Sequence, residues 1–168
     1  NEKQFLDLIG SFPPSYGKCL HPNTPVMTPK GNIPIKELKV GDEVYSMKDD
    51  KVVIEHVRGT VSSMKKQVIV TTYSGTEIIM SNEHRMYTQD GYKQAQELTI
   101  NDYFYNINYD LSGFSYEKIK HIEYVDEEIE MVDISVTNTH NFIANGYVSH
   151  NSFVTNYFSA WVLGQNTD

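Results

Sequence analysis

The side chains of this chain that could do chemistry gather in two places far apart in sequence. Near the C-terminus, His140, His150, Asn151 and Ser152 share the stretch His140-Asn-Phe-Ile-Ala-Asn-Gly-Tyr-Val-Ser-His150-Asn151-Ser152. An Asn side-chain amide can attack its own backbone carbonyl, close a succinimide ring and cut the chain behind itself. The reaction is slow in a free peptide. It needs a proton donor for the leaving amine or a hydrogen bond on the carbonyl oxygen, and His supplies either near neutral pH. His150 immediately precedes Asn151, and the Ser152 hydroxyl follows it. The same stretch also reads as a strand ending in a polar turn, with Asn145-Gly146 as a further turn.

The second place begins at the single cysteine, in Cys19-Leu-His-Pro-Asn-Thr-Pro-Val26. A thiol can attack the carbonyl of the residue before it and turn the Lys18–Cys19 amide into a thioester. That exchange is uphill, and a free thiol titrates near pH ~8.5, so a base or a destabilised amide must assist. Ser81-Asn-Glu-His84 offers both groups required: an imidazole to hydrogen-bond the scissile peptide and a hydroxyl to hold it. A lone Cys also fits as a small buried hydrophobe, and a lone Ser-x-x-His as two surface residues.

These residues need a scaffold, and the pattern between them is that of β structure. Short runs rich in Val, Ile, Thr and Tyr alternate with the turn signals Pro29-Lys-Gly-Asn32, Lys48-Asp-Asp50, Ser74-Gly75, Gln89-Asp-Gly91 and Asn145-Gly146. The expected fold over 19–151 is therefore all-β. It contains an internal repeat: Thr28 to Tyr45 aligns without a gap on Thr88 to Tyr105, matching at Thr, Gly, Glu, Leu, Asp and Tyr. Two similar β subunits related by a pseudo-twofold follow, each with a Gly turn, a short helical turn at Ile35-x-Glu-Leu38 or Ala95-x-Glu-Leu98, and a turn into a strand. Asn106 to Glu117 reads as a surface loop, and the acidic run Asp126-Glu-Glu-Ile-Glu130 as a solvated hairpin tip. His21, His56 and His121 take no role. The flanks differ in period: 1–18 reads as a short amphipathic helix and a Pro-Pro break, and 152–168 as a helix ending at Gly164.

The bulk properties agree with one domain and two tails. Of 168 residues, 39% are hydrophobic, enough for a core, and a formal charge of −8 argues against a general nucleic-acid surface. One Cys excludes an intrachain disulfide, and a thiol that must react suits a reducing, cytoplasmic setting. No run reaches transmembrane length and no signal-peptide pattern is present.

Taken in order, these motifs resemble the inteins of the hedgehog/intein (Hint) family across the whole of 19–151. The resemblance rests on the opening Cys19 block, the Gly31…Ile35-x-Glu37-Leu38-x-x-Gly41-Asp42 run, Ser81-x-x-His84, and the closing Val132-Asp133-Ile-Ser-Val136…Thr139-His140-Asn-Phe-Ile-Ala-Asn-Gly146…His150-Asn151-Ser152. Ser81 stands where the family usually has Thr, which keeps the hydroxyl and loses the stiffening methyl. The resemblance implies a horseshoe-like Hint fold and autocatalytic splicing without metal or cofactor. It implies roles for Cys19, Ser81, His84, Asp133, His140, His150, Asn151 and Ser152, with cleavage at Lys18–Cys19 and Asn151–Ser152. Asp133 matches the family's final-block aspartate and would position the Ser152 hydroxyl. A homing endonuclease would interrupt 106–117, and the short loop there implies a mini-intein. Its substrate is its own flanks, with no nucleic acid or membrane partner, acting as a monomer or as two halves divided near that loop. Joining Lys18 to Ser152 creates Pro13-Pro-Ser-Tyr-Gly-Lys18-Ser152, similar to the P-loop of the large terminase subunit of tailed phages, in which Gly17, Lys18 and Ser152 would hold phosphate. This implies an ATPase host in a bacterial or phage-infected cell. Three other readings fit parts of the sequence: a hedgehog-like autoprocessing domain, an inert insertion in a P-loop ATPase fragment, and a Cys19–His84 hydrolase.

Overall fold

The computed structural model describes residues 18–151. The helices expected in the two flanks, and Gly17 and Ser152 with them, lie outside the described residues. Eleven strands follow in order: β1 (Pro25–Thr28), β2 (Gly31–Pro34), β3 (Glu43–Lys48), β4 (Lys51–Thr72), β5 (Glu77–Met80), β6 (Arg85–Thr88), β7 (Gly91–Gln94), β8 (Tyr103–Ile107), β9 (Phe114–Val136), β10 (Asn141–Ala144) and β11 (Tyr147–His150). They form one continuous sheet in the order β2-β1-β10-β11-β6-β8-β9-β4-β3, with β5 added to β4 and β7 to β6. The expectation of an all-β fold holds.

The internal repeat is a repeat of hydrogen bonds. Thr28 Oγ1 donates to Gly31 O and Thr88 Oγ1 to Gly91 O, both at 2.7 Å. Gly31 and Gly91 sit at φ +104° and +92°, where a Cβ would be strained. Single 3₁₀ turns follow at Ile35–Glu37 and Ala95–Glu97. The symmetry extends upstream of the sequence match: Ile35 N donates to Thr24 O and Ala95 N to His84 O, both at 2.8 Å. His84 therefore occupies the position that Thr24 holds in the first subunit.

β4 and β9 are the backbone of the molecule, 22 and 23 residues paired antiparallel over most of their length. Here two expectations are corrected. The acidic run at 126–130 is not a hairpin tip but the middle of β9, at a register shift opposite Lys65–Gln67. Its charges are exposed, the Gln67 amide donates to Glu127 O at 3.1 Å, and Lys66 of β4 lies 4.0 Å from Asp126, so the strand tolerates what would usually mark a turn. The loop expected over 106–117 is shorter: Asn106–Ile107 end β8, Phe114–Glu117 begin β9, and those ends pair. The tight turns hold as expected, with Asp49, Asp50, Asn145 and Gly146 all at positive φ.

The main core includes Leu20, Val26, Ile35, Val44, Val57, Val68, Ile78, Met86, Phe104, Ile119, Ile134, Phe142 and Tyr147, contributed by both subunits. Tyr147 buries its ring against Phe104, centroids 5.0 Å apart, and its hydroxyl meets Thr72 Oγ1 at 2.7 Å and the Glu117 carboxylate. That ties β11, the strand leading to Asn151, to the long arms.

Candidate active site

The Cys19 segment is clamped between two strands. Leu20 exchanges two 2.8 Å backbone bonds with Val132 of β9, His21 N donates to Ile79 O at 3.0 Å, and Ser81 N donates to Cys19 O at 2.9 Å. Strand β5 ends at Met80, which leaves the next side chain beside the cysteine. The Ser81 hydroxyl accepts from Cys19 N at 2.8 Å and donates to Cys19 O at 3.2 Å. Cys19 N is the nitrogen of the Lys18–Cys19 peptide, so Ser81 grips the bond that a thioester step would break. A shallow cleft beside it is lined by Lys65, Lys66, Ser81, Asn82 and Glu83.

His84 follows through a tight turn, its N–H donating to Ser81 O at 3.1 Å, and its side chain is fully buried. Burial pushes its pKa down to about 3, with the charges of His150 and Lys18 adding to the fall, while the Lys18 backbone acts the other way. Only an acceptor favours an imidazolium, so the Lys18 group that the ring senses is its carbonyl. Nε2 lies 2.5 Å from Ser149 Oγ, and Nδ1 makes no hydrogen bond of ordinary geometry.

Asp133 stands on β9 opposite Val61 and is buried. Its charge reaches Cys19: burial first, and then Asp133, push the thiol well above its ordinary range, with Lys65 opposing. The resting thiol is protonated at neutral pH. Lys18 is itself buried, and its pKa is lowered by desolvation first and then by Arg85, against Asp133 and Glu83.

The other end of the site is carried by β10 and β11. His150 closes β11, its ring edge-on to Tyr92 at 4.8 Å. Burial pushes it down to about 4, helped by the charges of Lys18, Arg85 and His140, while the Asn151 backbone favours the charged ring. Asn151 is buried, and its N–H donates to His140 O at 2.9 Å. His140 has φ +58° and an exposed side chain, and it meets Asn151 through its backbone carbonyl. The bend there is pinned by Asn141, whose Oδ1 accepts from Ser46 Oγ at 2.7 Å and Met47 N at 2.8 Å and whose Nδ2 donates to Met47 O at 2.9 Å.

The fold thus brings Cys19, Ser81, His84 and Asp133 together, and brings His150 and Asn151 to the same centre. His84 meets Ser149, two residues before Asn151, and also feels Lys18. Three positions escaped the sequence reading: Ser149, Tyr92 and Asn141. Asn141 was adjacent to a flagged histidine, whereas nothing in the sequence distinguishes Ser149 or Tyr92 from ordinary strand residues. His21, His56 and His121 stand away from the centre: His21 Nδ1 accepts from Asn23 N at 3.0 Å, His56 lies 3.7 Å from Glu43, and His121 is exposed on β9. Among the described residues no group of three His, Cys, Asp or Glu side chains is arranged to hold a metal, and no helix is long and apolar enough to cross a membrane.

No family model matches the chain. Among solved structures it is similar to the gp41-1 intein, at 32% identity over 79% of this chain and 98% of that one, TM-score 0.69. It is also similar to a DnaB intein from Synechocystis sp. PCC 6803, at 22% identity over 80% of this chain and 99% of that one, TM-score 0.74. The TvoVMA intein gives 21% identity over 81% of this chain and 99% of that one, TM-score 0.72. A further relative is DNA-directed RNA polymerase III subunit rpc2 of Dictyostelium discoideum, 34% identical over 112 residues, which is 60% of this chain and 7% of that protein. The fold is that of the Hint domain.

Proposed function

The chain belongs to the intein family, and we propose that it carries out protein splicing as a mini-intein in which residues 19–151 excise themselves and join Lys18 to Ser152. The observation that most supports this reading is His84, buried between the Lys18 backbone and the strand that ends at Asn151. A hydrolase acting on added substrate has no use for a histidine that serves its own two chain junctions.

Four steps follow. The Cys19 sulfur attacks the Lys18 carbonyl carbon; the C–S bond forms, the C–N bond breaks, and the thiol proton ends on the Cys19 amine. Ser81 and His84 hold the peptide while this happens, which matters because the thiol starts protonated and needs a weakened amide rather than a ready thiolate. The Ser152 hydroxyl then attacks the thioester with Asp133 taking up or positioning its proton, forming a branched ester and returning the thiol. Next the Asn151 Nδ2 attacks its own carbonyl carbon. The Asn151–Ser152 bond breaks, the Ser152 amine leaves protonated, and the intein ends in a succinimide. His150 acts on the Asn151 peptide, and His140 holds the residue. Last, the freed amine attacks the Lys18 ester and an ordinary amide results. The process is autocatalytic and single-turnover, with the flanks as substrate and no cofactor.

The flanks are read as pieces of a P-loop ATPase resembling a large terminase subunit, whose phosphate loop, with Gly17, Lys18 and Ser152, exists only after ligation. A cytoplasmic setting, in a bacterial or phage-infected cell, belongs to the same proposal. So does a monomeric chain, or two halves divided in the connection between Ile107 and Phe114. The short match inside the much longer polymerase subunit is what an insertion of this size in a large host would give.

Mass spectrometry of the purified chain over time tests the reading. The expected products are a species of residues 19–151 ending in succinimide and a ligated peptide of 1–18 with 152–168. Cys19→Ala should give no ligated product while cleavage after Asn151 persists. An unchanged mass in the parent, or ligation by Cys19→Ala, overturns it.

A further inference from the structure

Ser149 is fully buried, carries no role in the steps above, and touches His84, which those steps place on the scissile peptide together with Ser81. We propose that Ser149 is a positioning residue that holds His84 in the tautomer bearing its proton on Nδ1, directed at the Lys18 carbonyl. The proposal rests on the splicing reading above and names how its first step is prepared.

The argument is one of proton placement at a dry site. His84 is neutral at physiological pH, so one ring nitrogen carries a proton and the other a lone pair. The 2.5 Å contact between Nε2 and Ser149 Oγ admits two arrangements. In the first, Nε2–H donates to Oγ. Nδ1 then presents a lone pair toward the Lys18 carbonyl, two acceptors facing each other, and the Ser149 hydroxyl proton needs a second acceptor inside the core. In the second, Ser149 Oγ–H donates to Nε2. The hydroxyl is satisfied by that bond, and Nδ1–H is presented to the Lys18 side, the direction in which an acceptor is felt by the ring. The second arrangement satisfies the hydroxyl and turns the single ring proton toward an acceptor, whereas the first strands the hydroxyl proton and sets two acceptors face to face, the costlier outcome in a buried site. The partner of one imidazole nitrogen sets what the other can do.

Both partners are rigidly carried. Ser149 pairs with Met86 of β6 across the sheet and with Phe142 of β10 on its other side. His84 is fixed by its N–H to Ser81 O and by Ala95 N to its own carbonyl. The hydroxyl therefore has little freedom to give up as the Lys18 carbonyl becomes a tetrahedral oxyanion, and a preorganised donor is most effective in such a place. The groups about His84 are the Ser149 hydroxyl, the Lys18 backbone and, through their charge, His150 and the Lys18 ammonium. Because Ser149 is two residues from Asn151, the same hydroxyl ties the N-terminal junction to the strand that holds the C-terminal one.

The test uses the full chain blocked after the first step, carrying Asn151→Ala and Ser152→Ala. Release of residues 1–18 by an added small thiol then reports thioester formation alone. The tautomer of His84 is read directly from the ¹⁵N shifts of its imidazole. In the blocked parent, Nε2 should show the shift of an unprotonated nitrogen and Nδ1 that of a protonated one. Adding Ser149→Ala should slow thiol release about 10- to 100-fold, move the ¹⁵N pattern toward protonated Nε2, and leave the fold unchanged by backbone amide shifts away from β6 and β11. Ser149→Thr, which keeps the hydroxyl, should restore the parent pattern and most of the rate. A protonated Nε2 in the parent overturns the proposal. So does undiminished release from a correctly folded Ser149→Ala. If Ser149→Ala does not fold, the parent ¹⁵N pattern still decides. Absence of thiol release from the blocked parent would instead overturn the thioester reading itself.

Discussion

Acid should weaken this fold well before its carboxylates titrate, and the size of the effect follows from two histidines. His84 is fully buried with its pKa lowered to about 3, and His150 is partly buried with its pKa lowered to about 4. In the unfolded chain each ring returns to about 6.5. Between these values the unfolded state binds more protons than the folded one, so stability falls as pH falls, beginning near pH 6.5 and ceasing to grow below the folded values. At pH 5 an unfolded imidazole is almost wholly protonated while folded His84 stays neutral. The linkage relation then gives a loss of about 2 kcal/mol for His84 relative to pH 7.5. His150, nearer solvent, contributes less after screening, so the two together remove about 3 kcal/mol. Asp102 and Glu117 have lowered values, but their contribution is lost only below the ordinary carboxylate range, so they add little above pH 5. Urea titrations of the splicing-blocked Cys19→Ala, Asn151→Ala chain at pH 7.5, 6 and 5 measure the effect. With a slope of roughly 2 kcal/mol per molar urea, the midpoint should drop about 1.5 M over that range. His84→Gln in the same background should remove more than half of the pH dependence, whatever it does to stability at pH 7.5. A midpoint that is flat or rises between pH 7.5 and 5 would refute the reasoning, because the rings would then be either charged or solvated in the folded chain.

Two further outcomes bear on the site and its support. Asn151→Ala should stall the chain as a branched, base-labile ester with two N-termini, visible by mass and N-terminal sequencing; adding Asp133→Ala should lower that species by about 10²–10⁴-fold while thiol release of residues 1–18 continues, and equal branching would reduce Asp133 to a buried strand residue. Asn141→Ala removes three hydrogen bonds to Ser46 and Met47 worth about 1 kcal/mol each, so the melting temperature should fall by about 10 °C and cleavage after Asn151 should slow with it; a shift under about 2 °C would mean that water replaces the lost bonds.

Some of this protein was decided locally, and the sequence alone determined it. Turns are short-range events, so Asp49-Asp50, Gly91 and Asn145-Gly146 announced themselves through residues that tolerate positive φ. The repeat from Thr28 and from Thr88 was legible because each copy closes its own Thr–Gly bond and 3₁₀ turn. The chemical types of Cys19, Ser81, His84 and Asn151 were legible for the same reason, since reactivity belongs to the side chain. Tertiary structure decided everything that depends on partners distant in the chain. The acidic run at 126–130 lies within a strand because Lys65–Gln67 of β4 run alongside it and its charges stay in water, facts that no window of sequence contains. Ser149 reaches a histidine 65 residues away, and only the pairing of β11 with β6 brings the two within hydrogen-bond distance. Burial then sets the protonation states: a thiol, two imidazoles and a carboxylate share one desolvated centre, and their charges shift one another there as they could not in an extended chain.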